Sequence, residues 1–368
     1  MIRAPKRKLA PGERIRALVV DDSVIIRRLV THALGEDPNV EVVGSAANGA
    51  IALKMIPLLN PHVVTLDIEM PEMDGLETLR HIRKRYPDLI VIMFSTLSER
   101  GAAVTLEALT LGANDYVTKA ANSGSLDQSM ARLRGELVPK FKQFFSVGNE
   151  ELTSAPPKPT FASTALPVRP RPSNGFRPRV PCQAVVIGVS TGGPPALATV
   201  IPMFPSDFRP PILIVQHMPP VFTRLLAERL QTLTKLRVRE AENGMVIENG
   251  NVYVAPGDYH MKAARKGTSI VVILDQSEPE NSCRPAVDVL FRSAADVWGG
   301  GAMAVILTGM GRDGLRGIER LRAAGSYVVA QDEASSVVWG MPGSVVTAGL
   351  ADSIVDLKCV VPEIQRHL

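Results

Sequence analysis

"AVVIGVSTGGPPAL", residues 184–197, is the stretch on which the fold of the second half of the chain turns. Its apolar run reads as a buried strand, and the glycine-rich turn after it leads into a helix. Spelled Gly188-Val189-Ser190-Thr191-Gly192, the turn satisfies the G-x-S-x-G pattern of a nucleophile elbow. It also half matches the G-x-G-x-x-G turn of a dinucleotide-binding unit. That second reading needs glycine where Ser190 stands, because the backbone there approaches a pyrophosphate, and an acid about 20 positions on, which is missing. Ser190 as a nucleophile is the reading that survives.

A serine nucleophile needs a base within hydrogen-bond reach and an acid to orient that base. Three histidines follow residue 182: His217 ends the run "PILIVQ", His260 sits in the turn "PGDYH", and His367 lies beside the terminus. Only His217 emerges at the carboxyl end of a strand beside Ser190. Asp313, after "MAVILTGMGR", falls on the same rim, whereas Asp258 and Asp275 belong to a hairpin-like stretch near 251–275. Ser190, His217 and Asp313 are the candidate triad. The backbone N–H groups of Thr191 and of Met310, flanked by Gly309 and Gly311, are the candidate oxyanion donors. The order Ser, His, Asp differs from the Ser, Asp, His of α/β-hydrolases, so the elbow spelling does not assign that fold.

Outward from this stretch, the remaining runs of 182–368 ("PILIVQH", "NVYVAPG", "SIVVILD", "MAVILTGM", "SYVVAQD") alternate with helical patterns, which predicts a doubly wound, mainly parallel α/β domain. Residues 139–181 are rich in Pro, Ser and Arg without an apolar period and read as a linker. Residues 1–14 read as a basic tail. Between them, 15–138 carries five strand–helix units and predicts a flavodoxin-like domain. Its first helix, "SVIIRRLVTHAL", is expected to start at an Ser23 cap and to bury Ile25, Ile26, Leu29, Val30 and Ala33.

In such sheets chemistry collects at the carboxyl ends of the strands. Asp21 and Asp22 end one strand and Asp67 another; three carboxylates there repel unless a hard cation such as Mg²⁺ sits among them. The next strands add a hydroxyl, Ser95 or Thr96, and an ammonium, Lys119. Together they make a site for an incoming phosphoryl group, with Asp67 as acceptor.

At 368 residues the chain has room for two domains of about 150 residues each. Its three cysteines, Cys182, Cys283 and Cys359, lack metal-site spacing and fit a reducing, cytoplasmic setting. Nothing around Cys283 marks a setting that stabilises a thiolate. No apolar run reaches the roughly 18 residues of a membrane span, and no signal segment stands at the start, so neither secretion nor insertion is expected. The net charge of +4 suggests nucleic acid at first sight. Six basic residues against one acid lie in 1–16 and seven against two in 139–181, so the folded remainder is net acidic and no basic docking face is expected.

"VVDDS", "TLDIEMPEMDG", "MFST" and "GANDYVTK" resemble the receiver domain of two-component response regulators. The resemblance implies that a histidine kinase phosphorylates Asp67, that Asp21, Asp22 and Asp67 hold Mg²⁺, and that Ser95 and Lys119 contact the phosphoryl group. Receivers usually carry Pro after that lysine; here it is Ala120. "GVSTGG", "QHMPPVFTRLLAERL", "YVAPGDYHM", "RPAVDVLF", "ILTGMGRDG" and "AQDEASSVVWGMP" resemble the catalytic domain of the chemotaxis protein-glutamate methylesterases over nearly all of 182–357. That resemblance implies hydrolysis of γ-glutamyl methyl esters on the cytoplasmic helices of chemoreceptors, releasing methanol, with deamidation of receptor glutamines as a related activity. It further implies that the unphosphorylated receiver covers the esterase cleft. Where the family commonly has Ser after Arg-Pro, this chain has Ala286. Tyr116, three residues before Lys119, is a candidate aromatic switch or a core residue. A monomer is expected, and no cofactor in the second domain. The competing reading is a response regulator with a nucleic-acid-binding or non-enzymatic output; the second half offers no helix-turn-helix pattern for the former.

Overall fold

The computed structural model describes residues 7–119, 126–146 and 181–368; Ala120 and residues 147–180 of the expected linker lie outside them. The first domain is a five-stranded parallel sheet in the order Val40–Ala46, Ile15–Val20, Val63–Asp67, Ile90–Ser95, Asp115–Thr118. This is the flavodoxin-like order. Val63–Asp67 and Ile90–Ser95 are buried at every position, because helices cover both faces, and this is why they read as unbroken apolar runs.

The helix Val24–Gly35 starts as expected, with Ser23 Oγ accepting from the Ile26 N–H. Its buried face is Val30, Ala33 and Leu34, however, and Ile25 is 74% exposed. The helix begins directly after the acids at the end of its strand, so its first turn overhangs the rim of the sheet. The expected boundary at 138 also moves. The helix Leu126–Lys142 runs past it with Pro139 inside, and Phe141, Phe144 and Phe145 are buried. A two-residue strand, Phe145–Ser146, then pairs in parallel with Arg7–Lys8, and Leu9 is buried, so part of the basic tail is folded onto this domain.

The second domain is a seven-stranded parallel sheet in the order Arg237–Glu240, Asn251–Val254, Ile212–Gln216, Ala184–Val189, Ala302–Ile306, Tyr327–Gln331, Ser353–Val355. At the two edges, Arg237–Glu240 is mostly charged and Ser353–Val355 only three residues long, so neither leaves an apolar run to read. The hairpin is real but begins later than 251: His260–Lys266 pairs antiparallel with Ser269–Asp275, while Asn251–Val254 belongs to the main sheet. Ala184–Val189 is central, and the chain leaves it first toward Ile212–Gln216 and later returns on the other side as Ala302–Ile306. Such a reversal opens a crevice at the carboxyl ends of the strands, where Ser190, His217 and Asp313 follow these three strands. Among the described residues no helix is long and apolar enough to cross a membrane.

Phe141 is fully buried beyond the boundary drawn from sequence. Phe141→Ala is expected to destabilise the first domain by roughly 3–5 kcal/mol through the cavity it leaves, measured by urea unfolding; a change below about 1 kcal/mol would mean that this segment adds nothing to the fold.

Candidate active site

Ser190 sits at the strand-to-helix turn, its N–H donating to Thr308 O at 3.0 Å and its carbonyl accepting from Gln216 Nε2 at 3.0 Å. Gly192 makes the turn at φ +78°. Gly309 lets the opposite loop approach: a Cβ there would lie 2.8 Å from Ser190 Cβ and 2.4 Å from Met341 Sδ. Across the crevice, His217 Nε2 lies 2.7 Å from Asp313 Oδ2. Asp313 is buried and heavily solvated by donors: Val287 N at 2.6 Å, Asp288 N at 3.0 Å, Gly314 N at 2.9 Å and Asn281 Nδ2 at 2.9 Å. Two of these donors open the helix Val287–Trp298, whose N-cap position is Ala286, so the carboxylate does the capping that Ala286 cannot.

Burial alone would lower the pKa of His217, but Asp313 and the Cys283 thiol outweigh it and push it up to about 10. Asp313 shows the reverse: burial would raise it, and His217 with the helix N–H groups holds it below the usual carboxylate range. Ser190, His217 and Asp313 line one cleft of about 850 Å³, together with Thr191, Met310 and Cys283. Neither the Thr191 nor the Met310 N–H donates to a backbone carbonyl among the described residues. His260 is fully buried, accepting from Ala286 N and facing Glu278 O, and lies off this rim as expected.

Asn281 escaped the sequence reading, and Cys283, read from sequence as inert, has a partner. Asn281 bridges Asp313 and Asp288 with one amide. Cys283 Sγ stands 3.6 Å from His217 Nδ1, the nitrogen that Asp313 leaves free, and no hydrogen bond joins Ser190 Oγ to His217 in this conformation. The one sequence signal was "ENSC" itself, since Asn tolerates the left-handed φ of +53° that it adopts there.

In the first domain Asp21, Asp22 and Asp67 each bring an oxygen within 4.8 Å of the others. Lys119 Nζ lies 2.8 Å from Asp67 Oδ2 and 3.0 Å from Asp21 Oδ2, though the latter approach is off-angle and leaves that buried oxygen without a hydrogen bond. Burial raises Asp67 to about 6, helped by Asp21 and opposed by Lys119. Three converging carboxylates, Asp21 and Asp67 buried and Asp22 open to solvent, fit a hard cation. The hydroxyl is placed less simply. Ser95 is fully buried and accepts from Thr105 Oγ1 at 2.6 Å, whereas Thr96 lines the small cavity beside Asp22, Asp67 and Lys119.

The two sites meet through packing. Thr191, next to Ser190, reaches Asp115 Oδ2 at 3.1 Å, and Lys140 Nζ pairs with that residue's other oxygen at 3.0 Å. Tyr116 stacks on Phe222 with ring centroids 5.0 Å apart, and Glu99 pairs with Arg224 at 2.6 Å. Leu97, Tyr116, Thr118 and Glu136 of the first domain therefore form one wall of the cleft.

Fold and site together define the class: a response-regulator receiver joined to a parallel α/β domain with a serine–histidine–aspartate rim. Residues 17–131 match the family described as response regulator receiver domain, and residues 185–364 match CheB methylesterase. The chain is 50% identical over 355 residues to a protein-glutamate methylesterase/protein-glutamine glutaminase of Trichodesmium erythraeum, covering 96% of this chain and 99% of that one. A protein of the same name from a Nocardioides species is 48% identical over 97% of this chain and 96% of its own. The crystal structure of the Thermotoga maritima CheB methylesterase catalytic domain superposes with a TM-score of 0.50 at 42% identity, covering 51% of this chain and all of that one. The chain belongs to the CheB-type protein-glutamate methylesterase/protein-glutamine glutaminase family.

The His217 imidazole is expected to titrate near 10 in the intact protein. In Asp313→Asn one of the two raising partners loses its charge while the burial and the Cys283 contact remain, so the pKa should fall from that value. Imidazole shifts followed by NMR against pH check this; an unchanged midpoint would mean that Asp313 does not hold the imidazolium.

Proposed function

We propose that this protein is a phosphorylation-activated serine hydrolase that removes methyl groups, as methanol, from glutamyl esters on the cytoplasmic helices of chemoreceptors and deamidates receptor glutamines. The observation that carries the reading is the His217–Asp313 pair facing Ser190 across one open cleft in a chain of this family. Ser190 Oγ attacks the ester carbonyl, and His217 in its neutral form, the minority below its raised pKa of about 10, takes the serine proton and returns it to the departing methoxide. Asp313, fixed by the helix N-terminus, keeps one imidazole nitrogen engaged so that the other is free for serine. The unengaged N–H groups of Thr191 and Met310 serve the oxyanion, each contributing on the order of 10²-fold or more in rate. The proton transfer requires Ser190 to displace the Cys283 contact from Nδ1, a step absent from the conformation described above.

Asp67 accepts the phosphoryl group from a histidine kinase. Asp21, Asp22 and Asp67 hold Mg²⁺, which when bound neutralises charge on the incoming phosphoryl oxygens. Lys119 turns from the carboxylates to the phosphoryl group, and Ser95 reaches it by turning its O–H away from the carbonyls of Thr96 and Gly101. Because Asp115 and Tyr116 of the receiver lie on Thr191 and Phe222, changes at Asp67 and Lys119 bear on the cover of the cleft. The setting proposed is the cytoplasm.

Methanol release from methylated receptor membranes tests the whole. Ser190→Ala is expected to lower it by on the order of 10⁴-fold or more. Asp67→Asn should abolish stoichiometric labelling by a small acyl phosphate and with it the stimulation of esterase activity. A fragment beginning near residue 182 should turn over faster than the unphosphorylated full chain; equal rates would refute inhibition by cover.

A further inference from the structure

Between the strand Ser269–Asp275 and the helix Val287–Trp298 the chain makes a very tight turn at Glu280–Cys283. Glu280 N donates to Cys283 O at 3.1 Å and Cys283 N to Glu280 O at 2.9 Å, with Asn281 and Ser282 both left-handed at φ +53° and +61°. Two central residues of positive φ are what a two-residue hairpin turn demands. The turn is anchored twice, by Glu280 on Arg292 of the helix Val287–Trp298 and by Asn281 on Asp288 and Asp313. So held, it delivers Cys283 Sγ to His217 Nδ1 at 3.6 Å while His217 Nε2 stays on Asp313. A nucleophilic atom, a base in contact with it and a carboxylate orienting the base are the elements of an activated nucleophile. Here they are thiol, imidazole and carboxylate, and the thiol opens onto the substrate cleft.

We propose that Cys283 is a modifiable thiol that shares His217 with Ser190, reacts with small organic disulfides, and in doing so turns the esterase off. The thiol proton leaves to solvent, and the thiolate is stabilised by the His217 imidazolium that its Sγ contacts at Nδ1. The sulfur attacks one sulfur of the disulfide, a Cys283–S–S–R bond forms, the original S–S bond breaks, and the departing thiolate takes up a proton. The incoming disulfide is the oxidant and is reduced to one equivalent of thiol. The group left on Sγ stands at the nitrogen that Ser190 must reach, so attack on an ester is blocked until a reductant removes it. The other two thiols lack this arrangement. Cys182 is half-buried and pushed up to about 11 by burial, and Cys359 is exposed with no imidazole contact among the described residues.

The inhibition half of this proposal rests on the esterase reading; the thiol half does not. Full-length protein is treated with dithiodipyridine, released thiopyridone is followed by absorbance, and sites are assigned by peptide mass spectrometry. Cys283 is expected to react at least roughly tenfold faster than Cys359 at pH 6.5, where an ordinary thiol of pKa about 8.5 is almost wholly protonated. His217→Asn should erase that advantage. The comparison of the two thiols in the unaltered protein stands even if that variant fails to fold. Cys283 reacting no faster than Cys359 overturns the proposal. In the second arm, the modified enzyme should lose methanol release at least tenfold and regain it with dithiothreitol, while Cys283→Ala keeps the same rate with and without disulfide. Full turnover by enzyme shown to carry the mixed disulfide also overturns it; absence of turnover in untreated protein instead counts against the esterase reading and leaves the labelling arm to decide.

Discussion

One buried carboxylate organises the rim that carries Ser190 and His217. Asp313 receives two N–H groups from the start of the helix Val287–Trp298, a third from Gly314, the Asn281 amide and the His217 ring. A buried charge is tolerated only when its desolvation is offset by donors of this number and orientation. The consequence is geometric. With Oδ1 and Oδ2 both committed, His217 has one orientation relative to the sheet, and the position of its other nitrogen in the cleft follows.

The same economy explains how two chemically separate sites share a structure. The receiver's acids and Lys119 sit at the carboxyl end of one parallel sheet, Ser190, His217 and Asp313 at the carboxyl end of another, and helices and loops near the two rims pack together. Asp115 is the joint. Its carboxylate holds Lys140 on one oxygen and takes the Thr191 hydroxyl and Gln143 amide on the other, immediately before Tyr116 and close in sequence to Lys119. A change in where Lys119 points is thus a few residues from the groups that touch the turn carrying Ser190.

Much of this was legible without coordinates, and the failures have identifiable causes. Asp21, Asp22, Asp67, Ser190, His217 and Asp313 each end or follow a short apolar strand, and strand ends of parallel sheets converge, so linear position translated directly into spatial position. The edge strand Arg237–Glu240 escaped because it is mostly charged, and Ser353–Val355 because three residues are too few to show a strand pattern. Ile25 misled because periodicity identifies a helical face but not how far the helix overhangs the sheet. The boundary at 138 fell short because the Pro-, Ser- and Arg-rich composition of 139–181 read as linker throughout, whereas Phe141, Phe144 and Phe145 at its start are buried.

By itself, then, the sequence determined two parallel α/β domains, the acid–lysine cluster and the members of the serine rim, because alternation and strand-end chemistry are local properties that survive in a linear string. Tertiary structure alone decided which nitrogen of His217 meets Asp313, that Cys283 rather than Ser190 occupies the other, that Ser95 turns toward Thr105, and that Asp115 reaches Thr191. Those are contacts between residues 10 to 96 positions apart whose partners are chosen by turn geometry and helix packing. No periodicity or spacing in the chain encodes that choice.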